Sequence, residues 1–250
     1  FLALSLYRTL LSLDHQKIEE LEERSFWGLH QLSAINLGSN FLRKLKNNTF
    51  IGLERLEKLE LDSNKINNLE FLAFNGLRRL EFLKLSNNKL SILNNNIFQN
   101  LNSLIDLNLE DNVIKLIEIN AFSGIESNLK TLNLEKNKIE FIKSSYFARL
   151  NRLYILNLKR NQISSIDENS FRSLISLQEL NLGDNCLVKL NRRLFQNLTE
   201  LNTLFLDENE LLQLSPQLFE RLTKLRKLYL SNNKLSELSN QLFKNLRSLR

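Results

Sequence analysis

Phenylalanine recurs along this chain at a nearly fixed step: Phe26, Phe50, Phe74, Phe98, Phe122, Phe147, Phe171, Phe195, Phe219 and Phe243. Eight of the nine intervals are 24 residues, and one, Phe122 to Phe147, is 25. A period between about 20 and 50 residues marks a stack of units that bury their apolar sides against one another. This step decides the architecture ahead of any local propensity. A chain of 250 residues would ordinarily make one or two globular domains, but here residues 1–250 read as one quasi-linear array. Such arrays act through an extended face rather than a pocket.

Composition agrees. Hydrophobic residues make up 42% of the chain, enough for a continuous core, and one proline and six glycines leave no flexible linker. The net charge is +6, spread through every repeat with no run of five like charges, so it reads as a solvated mixed-charge surface. Cys186 is the only cysteine, which excludes an internal disulfide and a cysteine zinc site. No apolar stretch reaches 18 residues, so no membrane-spanning helix is expected. The opening FLALSLYRTLLSL lacks a basic leader and a cleavage site, and its Leu11 and Leu13 fall into the repeat frame. The last residues, Leu246 to Arg250, begin another unit, so the chain is expected to be a segment of a longer protein.

Aligned on the phenylalanines, one unit reads Leu56-Glu57-Lys58-Leu59-Glu60-Leu61-Asp62-Ser63-Asn64-Lys65-Ile66, followed by apolar slots at Leu69, Phe74 and Leu77. The frame L-x-x-L-x-L-x-x-N-x-I/L returns at Leu80, Leu104, Leu129, Leu153, Leu177, Leu201 and Leu225, and nine of ten copies keep every key slot. The first copy, with Arg8 and Gln16 in the initial leucine and asparagine slots, is degenerate. Leucines alternating with polar residues give a short strand with one buried face. The asparagine closing each strand (Asn40, Asn64, Asn88, Asn112, Asn137, Asn161, Asn185, Asn209, Asn233) offers a donor and an acceptor to backbone groups that lose strand partners at the turn. Stacked copies should form a ladder, and this reading is preferred to metal binding. The phenylalanines lie on the return path, where each ring should pack edge-to-face on the next. The extra residue of the 25-residue copy, in Gly124-Ile125-Glu126-Ser127-Asn128-Leu129, is expected to be absorbed as a local bulge.

This pattern resembles the leucine-rich repeat family in its 24-residue class, over essentially the whole chain. The resemblance implies an α/β-type solenoid: a right-handed horseshoe with a parallel β-sheet on the concave face and a mostly irregular convex side. The class is found mainly in extracellular proteins such as Toll-type receptor ectodomains, Slit, chaoptin-like adhesion proteins and leucine-rich repeat–immunoglobulin receptors. It implies an extracellular or cell-surface setting and another protein as partner. The alternatives are an intracellular scaffold of the same fold and a pattern-recognition ectodomain that binds a polyanion on its basic lateral surface. A homodimer is a further expectation. Two glycosylation sequons, Asn47-Asn48-Thr49 and Asn197-Leu198-Thr199, map to the return side, where glycans would leave the strand face free.

Catalysis has little to stand on. The two histidines, His15 and His30, have no serine or cysteine placed with them by the repeat, and no nucleophile-elbow, phosphate-loop or metalloprotease motif is present. Neither an enzyme nor a cofactor or metal is expected. The strand face is more informative. Its variable positions carry 13 acids, from Asp14 to Glu208, against 8 bases, a net −5 that leaves +11 on the rest of a +6 chain. An acidic recognition face on a basic protein argues against nucleic acid on the concave side and for a basic protein patch. Phe82, Tyr154, Phe205 and Tyr229 are the aromatic hot-spot candidates, with Asp106, Glu110, Glu179, Asp207 and Glu208 among the acids around them. Phe205 and Tyr229 share one strand column in adjacent repeats and should be neighbours. A second column, Asn108, Asn133, Asn157 and Asn181, forms a polar strip that reads as the habit of L-N-L strands.

Overall fold

The computed structural model describes residues 9–250, so the expectation for Arg8 lies outside the described residues. Sixteen strands occur in this span, in the order β1 (Thr9–Ser12), β2 (Leu32–Asn36), β3 (Lys44–Leu45), β4 (Lys58–Glu60), β5 (Asn68–Leu69), β6 (Phe82–Lys84), β7 (Ile92–Leu93) and β8 (Asp106–Asn108). They continue with β9 (Leu116–Ile117), β10 (Thr131–Asn133), β11 (Phe141–Ile142), β12 (Ile155–Asn157), β13 (Ser165–Ile166), β14 (Glu179–Asn181), β15 (Thr203–Phe205) and β16 (Lys227–Tyr229). Ten of them, one per repeat, form a single parallel sheet in the order β1-β2-β4-β6-β8-β10-β12-β14-β15-β16. The other six pair two by two across the return path, which is otherwise turns, with no helix among the described residues.

The sheet register follows the leucine frame. Leu59, Leu83, Leu107, Leu132, Leu156, Leu180 and Leu204 stand opposite one another strand by strand. They are buried, while the residues on either side face out, as a two-residue side-chain period requires. Behind the sheet one apolar cluster runs from Leu21 to Leu246. Each coil buries its leucines only against the coils before and after it, so the core is as long as the stack.

The phenylalanines form a continuous spine with a different geometry from the edge-to-face packing expected from sequence. From Phe26 to Phe219 successive centroids lie 5.7–6.4 Å apart with interplanar angles of 3–22°, an offset parallel stack. Adjacent coils are near-translations of each other, so each ring repeats its neighbour's orientation, and the offset relieves face-to-face repulsion. Phe243 is 38% exposed and stands outside the stack.

The ladder is present and bridges two coils at every rung. Asn137, for example, donates from Nδ2 to the carbonyls of Leu109 and Leu134 at 3.0 and 3.1 Å, and its Oδ1 accepts the Ile114 N–H at 3.0 Å. The residue before each rung holds a left-handed backbone: Ser39, Ser63, Asn87, Asp111, Lys136, Arg160, Asp184, Glu208 and Asn232 have φ of 51–56°. This turns the chain out of the strand and aims the asparagine inward. The 25-residue copy leaves the sheet register intact, with Thr131 opposite Asp106. Its extra residue widens a turn, where the N–H groups of Asn128 and Leu129 both donate to the Ile125 carbonyl.

Candidate recognition face

Strand pleating puts the variable residues of all ten main-sheet strands on one face. Phe82, on β6, is 44% exposed and pairs in register with Asp106 on β8. Tyr154, just before β12, is 41% exposed, with Lys130 Nζ 5.9 Å from its ring centroid. Phe205 on β15 and Tyr229 on β16 pair in register and stack with centroids 4.5 Å apart and planes 6° apart. The expected neighbours are therefore in contact. Phe82 stands five strand steps from Phe205 in the sheet order, about 24 Å at the usual spacing between strands. The aromatics thus form separate points along the face.

The acids divide into paired and unpaired groups. Lys58 Nζ lies 2.9 Å from Glu60, Lys84 Nζ 3.3 Å from Asp62, and Lys136 Nζ 2.7 Å from Asp111. Arg160 reaches Glu135 at 3.8 Å and Asp184 at 3.4 Å. Glu110 accepts the Asn133 amide at 3.2 Å. Among the described residues, Asp106, Glu179, Asp207 and Glu208 enter no ion pair with these bases. Asp207 Oδ1 is buried without a hydrogen-bond partner, in the space left by the missing side chain of Gly183. Half-buried Asp106 has its carboxyl pushed above the ordinary value by loss of water. Acids without an ion pair therefore lie beside Phe82 and beside the Phe205–Tyr229 stack, where Lys227 on β16 also stands.

The structure gives the asparagine strip a local role. Asn108, Asn133, Asn157 and Asn181 each use Oδ1 to accept the backbone N–H two residues on, at 2.9–3.1 Å. These Asx turns bend the strand toward the left-handed residue that follows. Sequence reading had collected charged and aromatic residues and so passed over Ile155, 37% exposed on β12 beside Tyr154. Its slot in the repeat frame, the same as that of Phe82 and Asp106, was the available signal.

Other candidates lie off this face. Asn47 and Asn197 are half-buried on the return path, and Asn47 Oδ1 accepts the Leu72 N–H at 3.1 Å. His30 Nδ1 is 2.9 Å from the Gly52 carbonyl, with its ring at 77° to Trp27, while His15 lies 3.9 Å from Asp14. Cys186 is exposed. Among the described residues no group of three or more potential ligands could hold a metal ion, and no helix is long and apolar enough to cross a membrane.

A curved stack of short parallel strands, closed by an asparagine ladder and carrying its variable residues on one face, defines a repeat array built for recognition. The chain belongs to the leucine-rich repeat family, whose model matches residues 9–66, 54–114, 127–187, 151–211 and 199–250. No curated protein sequence matches it. Among solved structures it is similar to TLR13 in a complex with ssRNA13, at 29% identity and a TM-score of 0.86, covering 96% of this chain and 38% of that one. It is similar in fold to the Drosophila Toll–Spatzle complex, at 21% identity and a TM-score of 0.86, covering 96% of this chain and 33% of that one. A leucine-rich repeat protein of Leptospira interrogans matches at 23% identity and a TM-score of 0.64, covering 96% of this chain and 70% of that one. The chain thus spans 38% and 33% of the two Toll-type chains.

Proposed function

We propose that this chain is the recognition array of an extracellular or cell-surface protein of receptor, adhesion or matrix type, and that it binds another protein through its concave face. The array acts by rigid presentation: its curvature and register are set by the spine and ladder, so the contact residues need no ordering on binding. The observation that carries this reading is the Phe205–Tyr229 stack beside unpaired Asp207 and Glu208. Rigid aromatic side chains are typical anchors of binding hot spots, and the acids beside them bias the charge of the surface they fit. The partner surface it fits is basic, and attraction across the interface should weaken as salt is raised.

Replacing Phe205 and Tyr229 together by alanine should lower partner affinity by about tenfold or more, with the circular dichroism spectrum unchanged. Unaltered affinity removes this patch from the account. A glycan on Asn47 or Asn197, detected by mass spectrometry of secreted material, supports the extracellular setting.

One observation favours a second reading, binding of a polyanion away from the concave face. Arg192, Arg193 and Arg221 line a cavity of about 330 Å³ on the return side, and TLR13 was solved in a complex with ssRNA13. Affinity for single-stranded RNA that falls steeply with salt and disappears on replacing these arginines would favour it.

A further inference from the structure

Phe82 and Asp106 are register partners on neighbouring strands and project onto the same concave face. The Phe82 ring, 44% exposed, stands between two shallow hollows. One, about 170 Å³, is lined by Lys84, Asp106 and Asn108 among others; the second, about 220 Å³, by Ala34 and Lys58. No aromatic or cationic group among the described residues covers the ring face.

Asp106 is half-buried, and its carboxylate takes no hydrogen bond or ion pair among the described residues. The bases nearest in the frame are engaged elsewhere: Lys58 with Glu60, Lys84 with Asp62, and Lys130 over the Tyr154 ring. A carboxylate stripped of water and left without a counter-ion is costly to keep ionised. An incoming cation would restore its partner, and the adjacent ring would offer that cation a negative face.

We infer that this hollow seats an arginine or lysine side chain of the protein partner, with its cation over the Phe82 ring and against the Asp106 carboxylate. The inference rests on the concave-face reading and adds the class of side chain recognised at one of its points. Arginine suits the place better than lysine, because its planar guanidinium can stack on the ring while its edge donates to both carboxylate oxygens.

The test is a nuclear magnetic resonance titration of the native chain with N-acetyl-arginine N-methylamide, using the citrulline analogue as a neutral control of the same shape. Concentration-dependent shifts are expected at the Phe82 ring and the Asp106 carboxyl with the arginine compound and not with citrulline. In Asp106→Asn, whose circular dichroism spectrum should match the native chain, apparent affinity should fall by about tenfold, the scale of one lost charge-assisted contact. Equal shifts with citrulline, or an Asp106→Asn titration matching the native one, would overturn the inference. Arginine-specific shifts confined to Glu179, Asp207 or Glu208 would also overturn it while leaving the concave face as the recognition surface. Shifts confined to return-path carboxylates would count against both.

Discussion

Removing one rung of the asparagine ladder should show how much of the fold rests on bonds between coils. Asn137 is 6% exposed, and its neighbours Leu109, Ile114 and Leu134 are fully buried. Asn137→Ala leaves the Ile114 N–H without an acceptor, while the Leu109 and Leu134 carbonyls lose one of two amide donors and keep those of Asn112 and Asn161. Leaving one buried polar group unsatisfied costs about 1–3 kcal/mol. With the Ile114 N–H as the group left unsatisfied, the variant should lose about 1–3 kcal/mol. Asn137→Asp should cost at least as much, because it keeps the acceptor for Ile114 but turns the donor into a second acceptor facing two carbonyls. The same alanine change at Asn233, whose bonds are only partly buried, should cost less, since water can replace the amide. Guanidinium unfolding followed by far-ultraviolet circular dichroism gives midpoint and slope for each variant. A lower slope would mean that the array breaks at the missing rung and unfolds in parts. If Asn137→Ala costs no more than Asn233→Ala, the ladder does not carry the energy assigned to it.

Three further outcomes follow from particular positions. Phe147→Ala removes a fully buried ring stacked on both sides and should cost about 3–5 kcal/mol, whereas Phe243→Ala, at an exposed ring outside the spine, should cost far less; chemical unfolding separates them. Glu208 sits at φ 53°, so Glu208→Val should destabilise by about 1–3 kcal/mol while Glu208→Gly does not, as read from unfolding midpoints. Asp106 has a folded-state pKa raised by burial above the ordinary 3.8. For an acid shifted upward the folded state binds more protons, so the penalty is present above the folded value and disappears as pH falls below the unfolded one. Asp106→Asn should therefore be more stable than the native chain at neutral pH and gain nothing near pH 3, and a difference that persists at acid pH would exclude this cause.

Much of the architecture was legible because the repeat imposes it many times over. The leucine slots, the ladder asparagines and the parallel register each recur in nearly every coil, so one irregular copy cannot obscure them. The phenylalanine spine was legible as a packing device, but its offset parallel geometry depends on how neighbouring coils are related in space, which spacing along the chain does not encode. The left-handed residue before each rung was hidden for a related reason. Serine, asparagine, aspartate, lysine, arginine and glutamate all occupy that slot, so no residue type announces the backbone. On the strand face, the frame alone placed Phe205 beside Tyr229, while the register of Phe82 with Asp106 came from the structure. Which acids lack a counter-ion was not readable, because lysines and arginines reach across strands by side-chain conformation, as Arg160 does to both Glu135 and Asp184.

Exposed aromatics lie on both sides of the array and can report directly on which side is covered. Phe82, Tyr154 and Tyr229 are 40–44% exposed on the concave face, and Trp27, Phe71 and Phe141 are 52–59% exposed on the return path. Hydroxyl-radical footprinting of the chain with and without its bound partner measures all six at once. Concave binding predicts protection of Phe82, Tyr154 and Tyr229, with Trp27, Phe71 and Phe141 modified as in the free chain. Protection confined to the return-path set would contradict it.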